Sequence, residues 1–213
     1  MTVPAEITPA KIRDGDPRAL AALCDRRGAA VFAYCAQVAA RGHAADAAAD
    51  AFARLRASVV SPGEVSGVEG DALLRHMVRR AAAWRGSNAM AARDGNPVSE
   101  SCAAQESELV AYVERSLSRA DRVGVDEHLT QCDFCTAALR RLEAGERAFE
   151  RPLRAALPLG VVEELLRALV VAAPVRACGG NAAAVREEAL RLLTRDRARA
   201  AEPAPRPRVA VPE

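Results

Sequence analysis

Apolar residues recur along this 213-residue chain at spacings of three and four, the period of an α-helix. In "PRALAALCDRRGAAVFAYCAQVAAR" (17–41), Leu20, Leu23, Val31, Tyr34 and Val38 fall on one stripe, and Gly42 and His43 break it. "AADAAADAFARLRASVV" (44–60) sets Ala48, Phe52, Leu55 and Val59 on one face, with Asp46 and Asp50 an i,i+4 step apart on another. A turn-rich loop, "SPGEVSGVEG" (61–70), precedes a third helix at 71–93. Leu73, Leu74, Met77, Ala81 and Trp84 are its expected buried side, and Arg75, Arg79, Arg80, Arg85 and Arg93 make it the most basic helix.

Gly95 and Pro97 in "DGNPVSES" (94–101) mark a domain boundary. A short helix is predicted over 106–117. Ser118 and Asp121 form an S-x-x-D capping box that should start the next helix near Arg119. Another helix is expected from about Phe134 to Leu157, with a break at Pro152. Segments 160–172 and 181–197 read as helices, and the Pro-rich end as disordered. The expected division is therefore 1–95, 96–145, 146–199 and a tail at 200–213.

Composition supports an all-α fold. Half the residues are hydrophobic, chiefly Ala, Leu and Val, and aromatics are only 3%, which suits closely packed helices over sheets. Net charge is +2, too balanced to argue for nucleic acid, and Lys11 is the single Lys among 30 basic residues. No apolar run follows a basic start. The most apolar segment, "LPLGVVEELLRALVVAAPV", carries Glu163, Glu164 and Arg167, so no membrane span is expected. A cytoplasmic protein is the expectation, with reduced thiols.

The chemistry concentrates in "DEHLTQCDFC" (126–135), which orders His128, Cys132 and Cys135 as H-x3-C-x2-C. His128 and Cys132 share a helix face, and Cys135 lies around the turn beyond them. Three ligands can then converge on one tetrahedral ion. Structural zinc takes four, and Cys102, ahead of a helix able to fold back on the His128 helix, is the best fourth candidate. A redox dithiol and a pair of plain thiols are the alternatives. Cys24 and Cys35 look like small buried hydrophobes. No nucleophile–base pair, phosphate-binding glycine loop or open metal site is present, so no enzyme is expected.

Residues 101–143 resemble the zinc-binding anti-sigma domain. That family has a Cys, a helix of the L-x-x-Y-x-x-x-x-L kind, then a Ser-led helix ending in H-x3-C-x2-C. Here these are Cys102, Leu109, Tyr112 and Leu117, Ser118, His128, Cys132 and Cys135. The resemblance implies a zinc-bound helical hairpin that binds a sigma factor.

Residues 10–93 resemble region 2 of ECF-type sigma factors more loosely. In "ADAAADAFARLR", Asp46, Asp50, Phe52 and Arg54 fit the polymerase-binding helix, while Ala49 and Arg56 stand where the family has Gln and Trp. The third helix is similar to the promoter-facing helix, which would direct Arg75, Arg79, Arg80 and Arg85 to DNA. The family's second, helix-turn-helix DNA-reading domain is missing, and the zinc module stands in its place. The implied function is a transcription regulator that binds RNA polymerase core or promoter DNA. The alternative is an anti-sigma-like adaptor that sequesters a sigma factor without touching DNA.

Overall fold

Local chemistry starts each helix. Thr8 precedes Pro9 and accepts from the Lys11 amide, opening α1 (Pro9–Asp14). Asp16 precedes Pro17, and its Oδ1 accepts from the Arg18 and Ala19 amides, both at 2.9 Å, opening α2 (Pro17–Val38). A side-chain acceptor at the cap and a proline at the first helical position are the favoured start of a helix. The remaining elements are α3 (Ala44–Val60), α4 (Asp71–Asp94), α5 (Glu100–Val113), α6 (Arg119–Gln131), α7 (Asp133–Glu150), α8 (Leu159–Val171), a 3-10 turn (Ala177–Gly180) and α9 (Ala182–Ala201).

This computed structural model describes residues 6–60, 71–94, 100–151 and 156–201, with side chains over 6–60, 72–85, 107–151 and 156–201. Among the described residues the protein is all-α. The loop at 61–70, the boundary at 95–99 and the tail from 202 lie outside them. The other expected boundary, at 145/146, falls inside the continuous helix α7.

Helix α2 is the axis of the assembly. Its buried residues run from Ala19 and Leu20 through Leu23, Cys24, Gly28, Val31, Tyr34 and Cys35 to Val38. They face more than one side, as a helix surrounded by others must. Helices α3, α4, α7, α8 and α9 all contact it. The 96–145 and 146–199 segments therefore share the N-terminal core. Gly145 makes the α2–α7 crossing possible: a Cβ there would sit 2.8 Å from Tyr34 Cε2 and 2.9 Å from Val38 Cγ2. Burial pushes the Cys24 thiol up to about 12, and Cys35 also moves up, so both act as packing atoms.

One departure concerns Trp84, which was expected inside but is 58% exposed. The inner face of α4 is instead Leu74, Val78, Ala81 and Ala82. Helix α4 packs against α3, whose buried residues include Ala47, Ala48, Ala49 and Ala51.

The least expected core residue is Arg56, on α3, whose side chain is fully buried. Among the described residues it meets no carboxylate. Nε donates to the Ile12 carbonyl, Nη1 to Leu169, Val170 and Ala173, and Nη2 to Arg13 and Pro174. These carbonyls belong to the C-terminal ends of α1 and α8, where helix carbonyls lack intrahelical partners, and to Ala173 and Pro174 in the bend just beyond α8. Burial lowers the Arg56 pKa, yet a guanidinium stays charged in proteins. Gly15, at φ 73°, lets the chain turn over this group: a Cβ there would lie 2.7 Å from Val175 Cγ1. The Arg176 amide closes the same joint on the Asp14 carbonyl at 2.8 Å.

Two substitutions test this account. Arg56→Leu should cost about 3–5 kcal/mol, because six carbonyls lose their donor; a urea midpoint shift worth under ~1 kcal/mol would refute it. Gly145→Ala should cost about 1–3 kcal/mol through overpacking against Tyr34 and Val38, read by thermal unfolding.

Candidate functional site

The candidate metal site is built where α6 hands over to α7. Ser118 caps α6: its Oγ accepts from the Asp121 amide at 3.2 Å and donates to Asp121 Oδ2 at 2.7 Å. The N-cap half of the expected capping box is present, and in place of the reciprocal backbone bond the Asp121 carboxylate accepts from the Ser118 hydroxyl. The helix carries His128 in its last turn and stops at Cys132, whose backbone is extended (φ −124°, ψ 100°). Cys132 is at once the end of α6 and the N-cap of α7. Thr136 stiffens this joint, its Oγ1 donating to the Leu129 carbonyl at 2.8 Å. Tyr112 of α5 reaches across to Asp126 of α6 at 2.7 Å, with Arg122 over its ring.

These constraints bring one donor atom from each of His128, Cys132 and Cys135 within 4.8 Å of one another. Cys135 is buried and His128 and Cys132 are half-buried. His128 Nε2 is buried with no hydrogen-bonding partner. Such an orphaned polar atom ordinarily costs about 1–3 kcal/mol, which coordination would recover. An imidazole and two sulfurs suit a soft or borderline divalent ion. The residues fit a metal.

Cys102 lies within the first turn of α5, which begins at Glu100, and so inside the helix expected to follow it. Its side chain is outside the described residues. Cys178, exposed in the 3-10 turn, takes no part in this group.

The residues singled out on α3 and α4 occupy different settings. Phe52 is fully buried, so any role at a partner surface is through holding α3 in place. Asp46 and Asp50 both pair with Arg85, at 3.4 and 2.7 Å, and Asp46 also takes His43. Arg75 pairs with Glu150 at 3.1 Å and Glu146 at 3.7 Å, and lies over the Phe149 ring. Arg79 grips Glu146 with Nε and Nη2, each at 2.7 Å, and reaches Glu114 at 3.3 Å. Burial alone would lower the Arg79 pKa, but the two carboxylates outweigh it and the net shift is upward. His76 joins the same Glu114 at 2.8 Å. Arg54 and Arg80 are exposed, and neither guanidinium has a partner among the described residues.

Glu114, Glu146 and Glu150 went unnoticed in the sequence. Their signal was there in part: Glu146 and Glu150 are i,i+4 on α7, matching Arg75 and Arg79, i,i+4 on α4. Nothing local said that the two ladders would meet. The chain matches no protein-family model, no curated protein and no solved structure.

The metal site predicts that the apo protein takes up one equivalent of Co(II), with thiolate charge-transfer absorption. His128→Ala or Cys135→Ser should weaken uptake at least tenfold, whereas Cys24→Ser should not. Equal uptake by all variants would place the metal elsewhere.

Proposed function

We propose that this protein is a transcription regulator: a sigma region 2-like helical unit fused to a zinc-binding, anti-sigma-like hairpin that restrains it in cis. The ion is zinc, held by His128, Cys132 and Cys135 with Cys102 as fourth ligand. A closed four-ligand site would be structural and would fix the α5–α6–α7 hairpin. The support is the ligand order and spacing, together with the orphaned His128 Nε2.

The observation that carries the restraint is the ion-pair ladder. Of the α4 arginines that the sigma resemblance directs to promoter DNA, Arg75 and Arg79 are occupied by carboxylates from the zinc module and the rest of its last helix, Arg85 is held by Asp46 and Asp50 of α3, and Arg80 is left exposed. Arg79 is held by Glu114, in the turn after α5, and Glu146 of α7, and Arg75 by Glu146 and Glu150. Carboxylates there occupy the positions phosphates would need, and a partner must displace them before α4 can contribute to salt-dependent DNA binding. Asp46, Asp50 and Arg54 would supply the polymerase-facing side, with Asp46 and Asp50 engaged by Arg85.

The same pairing favours a second reading. If the ladder is permanent, the protein is an adaptor that binds a sigma factor and never touches DNA or polymerase.

The deciding experiment titrates zinc-loaded full-length protein, and a Glu114→Gln, Glu146→Gln, Glu150→Gln variant, against RNA polymerase core with and without promoter DNA. Release of α4 should tighten binding at least tenfold in the variant and steepen its salt dependence. Binding by neither protein would sink the initiation-factor reading; capture of a sigma factor by the wild type would then establish the adaptor.

A further inference from the structure

Between α3, α4 and α5 lies a cleft of about 470 Å³, away from the metal-site residues and bordered on one side by His76 and Glu114 of the ladder. Its size is within the range of small-molecule sites, about 300–1,000 Å³. Arg54 comes from α3, and Arg80 and Trp84, an i,i+4 pair, from α4. Ala83, Val110 and Ala111 give it apolar wall, and Ser107 and Ser116 add hydroxyl groups. Glu114 also lines it, but that carboxylate is engaged by His76 and Arg79.

The charge is unbalanced. On α4, Arg75, Arg79 and Arg85 each face carboxylates at 3.7 Å or less. Arg54 and Arg80, the two that line the cleft, have no such partner among the described residues. Two guanidinium groups converging on one concavity form an anion site, because each presents a planar fork of donors matched to a carboxylate or phosphate. Trp84 adds the second half. It is the protein's single Trp, 58% exposed at the cleft, and offers a π-face for stacking.

We propose that this cleft binds a small planar aromatic anion, its ring against Trp84 and its acid group between Arg54 and Arg80. This goes beyond the polymerase reading and does not depend on it. Because the cleft spans α3, α4 and α5, a ligand there would brace α4 against α5.

Trp84 is its own reporter. Emission from the metal-loaded full-length protein is titrated with benzoate, adenosine monophosphate and inorganic phosphate. A saturable change with benzoate or with the nucleotide is expected, and the arm that binds more tightly identifies the acid group as carboxylate or phosphate. Arg54→Ala with Arg80→Ala should weaken it at least tenfold with unchanged circular dichroism, since both side chains are exposed. Calorimetry on Trp84→Ala should show weakened binding without relying on the fluorophore. The proposal is overturned if neither aromatic anion gives saturation, if inorganic phosphate binds as tightly as they do, or if the double arginine variant binds like the wild type.

Discussion

A buried arginine holds the architecture together. Removing a guanidinium from water costs several kcal/mol, and the usual compensation is a carboxylate in ideal geometry. Arg56 uses backbone instead, with six carbonyls from two chain segments more than 150 positions apart. Those carbonyls belong to helix ends and the turn after α8, whose dipoles point negative charge at it. The arrangement holds only while α1, α3 and α8 keep their positions. It therefore joins the first helix to the eighth, and the segment after the hairpin becomes part of the N-terminal core. The Arg176 amide on Asp14 and the tight turn at Gly15 depend on the same joint.

That joint was not legible in the sequence. Arg56 stood out there only as a substitution at a position where the resembled family has Trp. Its acceptors are backbone groups, which leave no signature in residue types, and most lie 113–118 positions away. Most helices were readable because their periodicity is local, although α1 was not read and α5 runs Glu100–Val113 where 106–117 was expected; of the caps that start them only Ser118 was foreseen. Thr8, Asp16, Ser118 and Asn181 each bond an amide within three residues, and the segment expected to break at Pro152 ends α7 at Glu150. Trp84 was misassigned for a related reason. Periodicity alone puts it on the stripe with Leu74 and Ala81, while helix packing buries Leu74, Val78, Ala81 and Ala82 and leaves the indole 58% exposed.

The metal group divides along the same line. His128, Cys132 and Cys135 span eight positions, so helix geometry and one extended residue bring them together. The proposed fourth ligand, Cys102, lies on α5, and its approach would depend on how two helices fold back on each other. The Tyr112–Asp126 hydrogen bond and the Arg122–Tyr112 contact show that α5 and α6 are held at that hairpin. Here helix propensity, capping and cross-helix contacts agree on one geometry, which marks a specified site over a chance grouping of donors.

Electrostatics then sorts the basic residues of α3 and α4 into three kinds. Arg56 is buried on carbonyls and is structural. Arg75, Arg79 and Arg85 are matched to carboxylates, and the 14% exposure of Arg79 beside Glu114 and Glu146 means its pair sits in a partly desolvated setting where losing one partner strands the other. Arg54 and Arg80 face an open cleft without a counter-charge among the described residues. In a chain of 30 basic and 28 acidic residues, overall charge could not reveal this division. Helix packing sets it by choosing which arginines meet carboxylates, and the two left over converge beside the only indole. Within α3 and α4, Arg54 and Arg80 are thus the described arginines that an anion could meet without displacing a carboxylate.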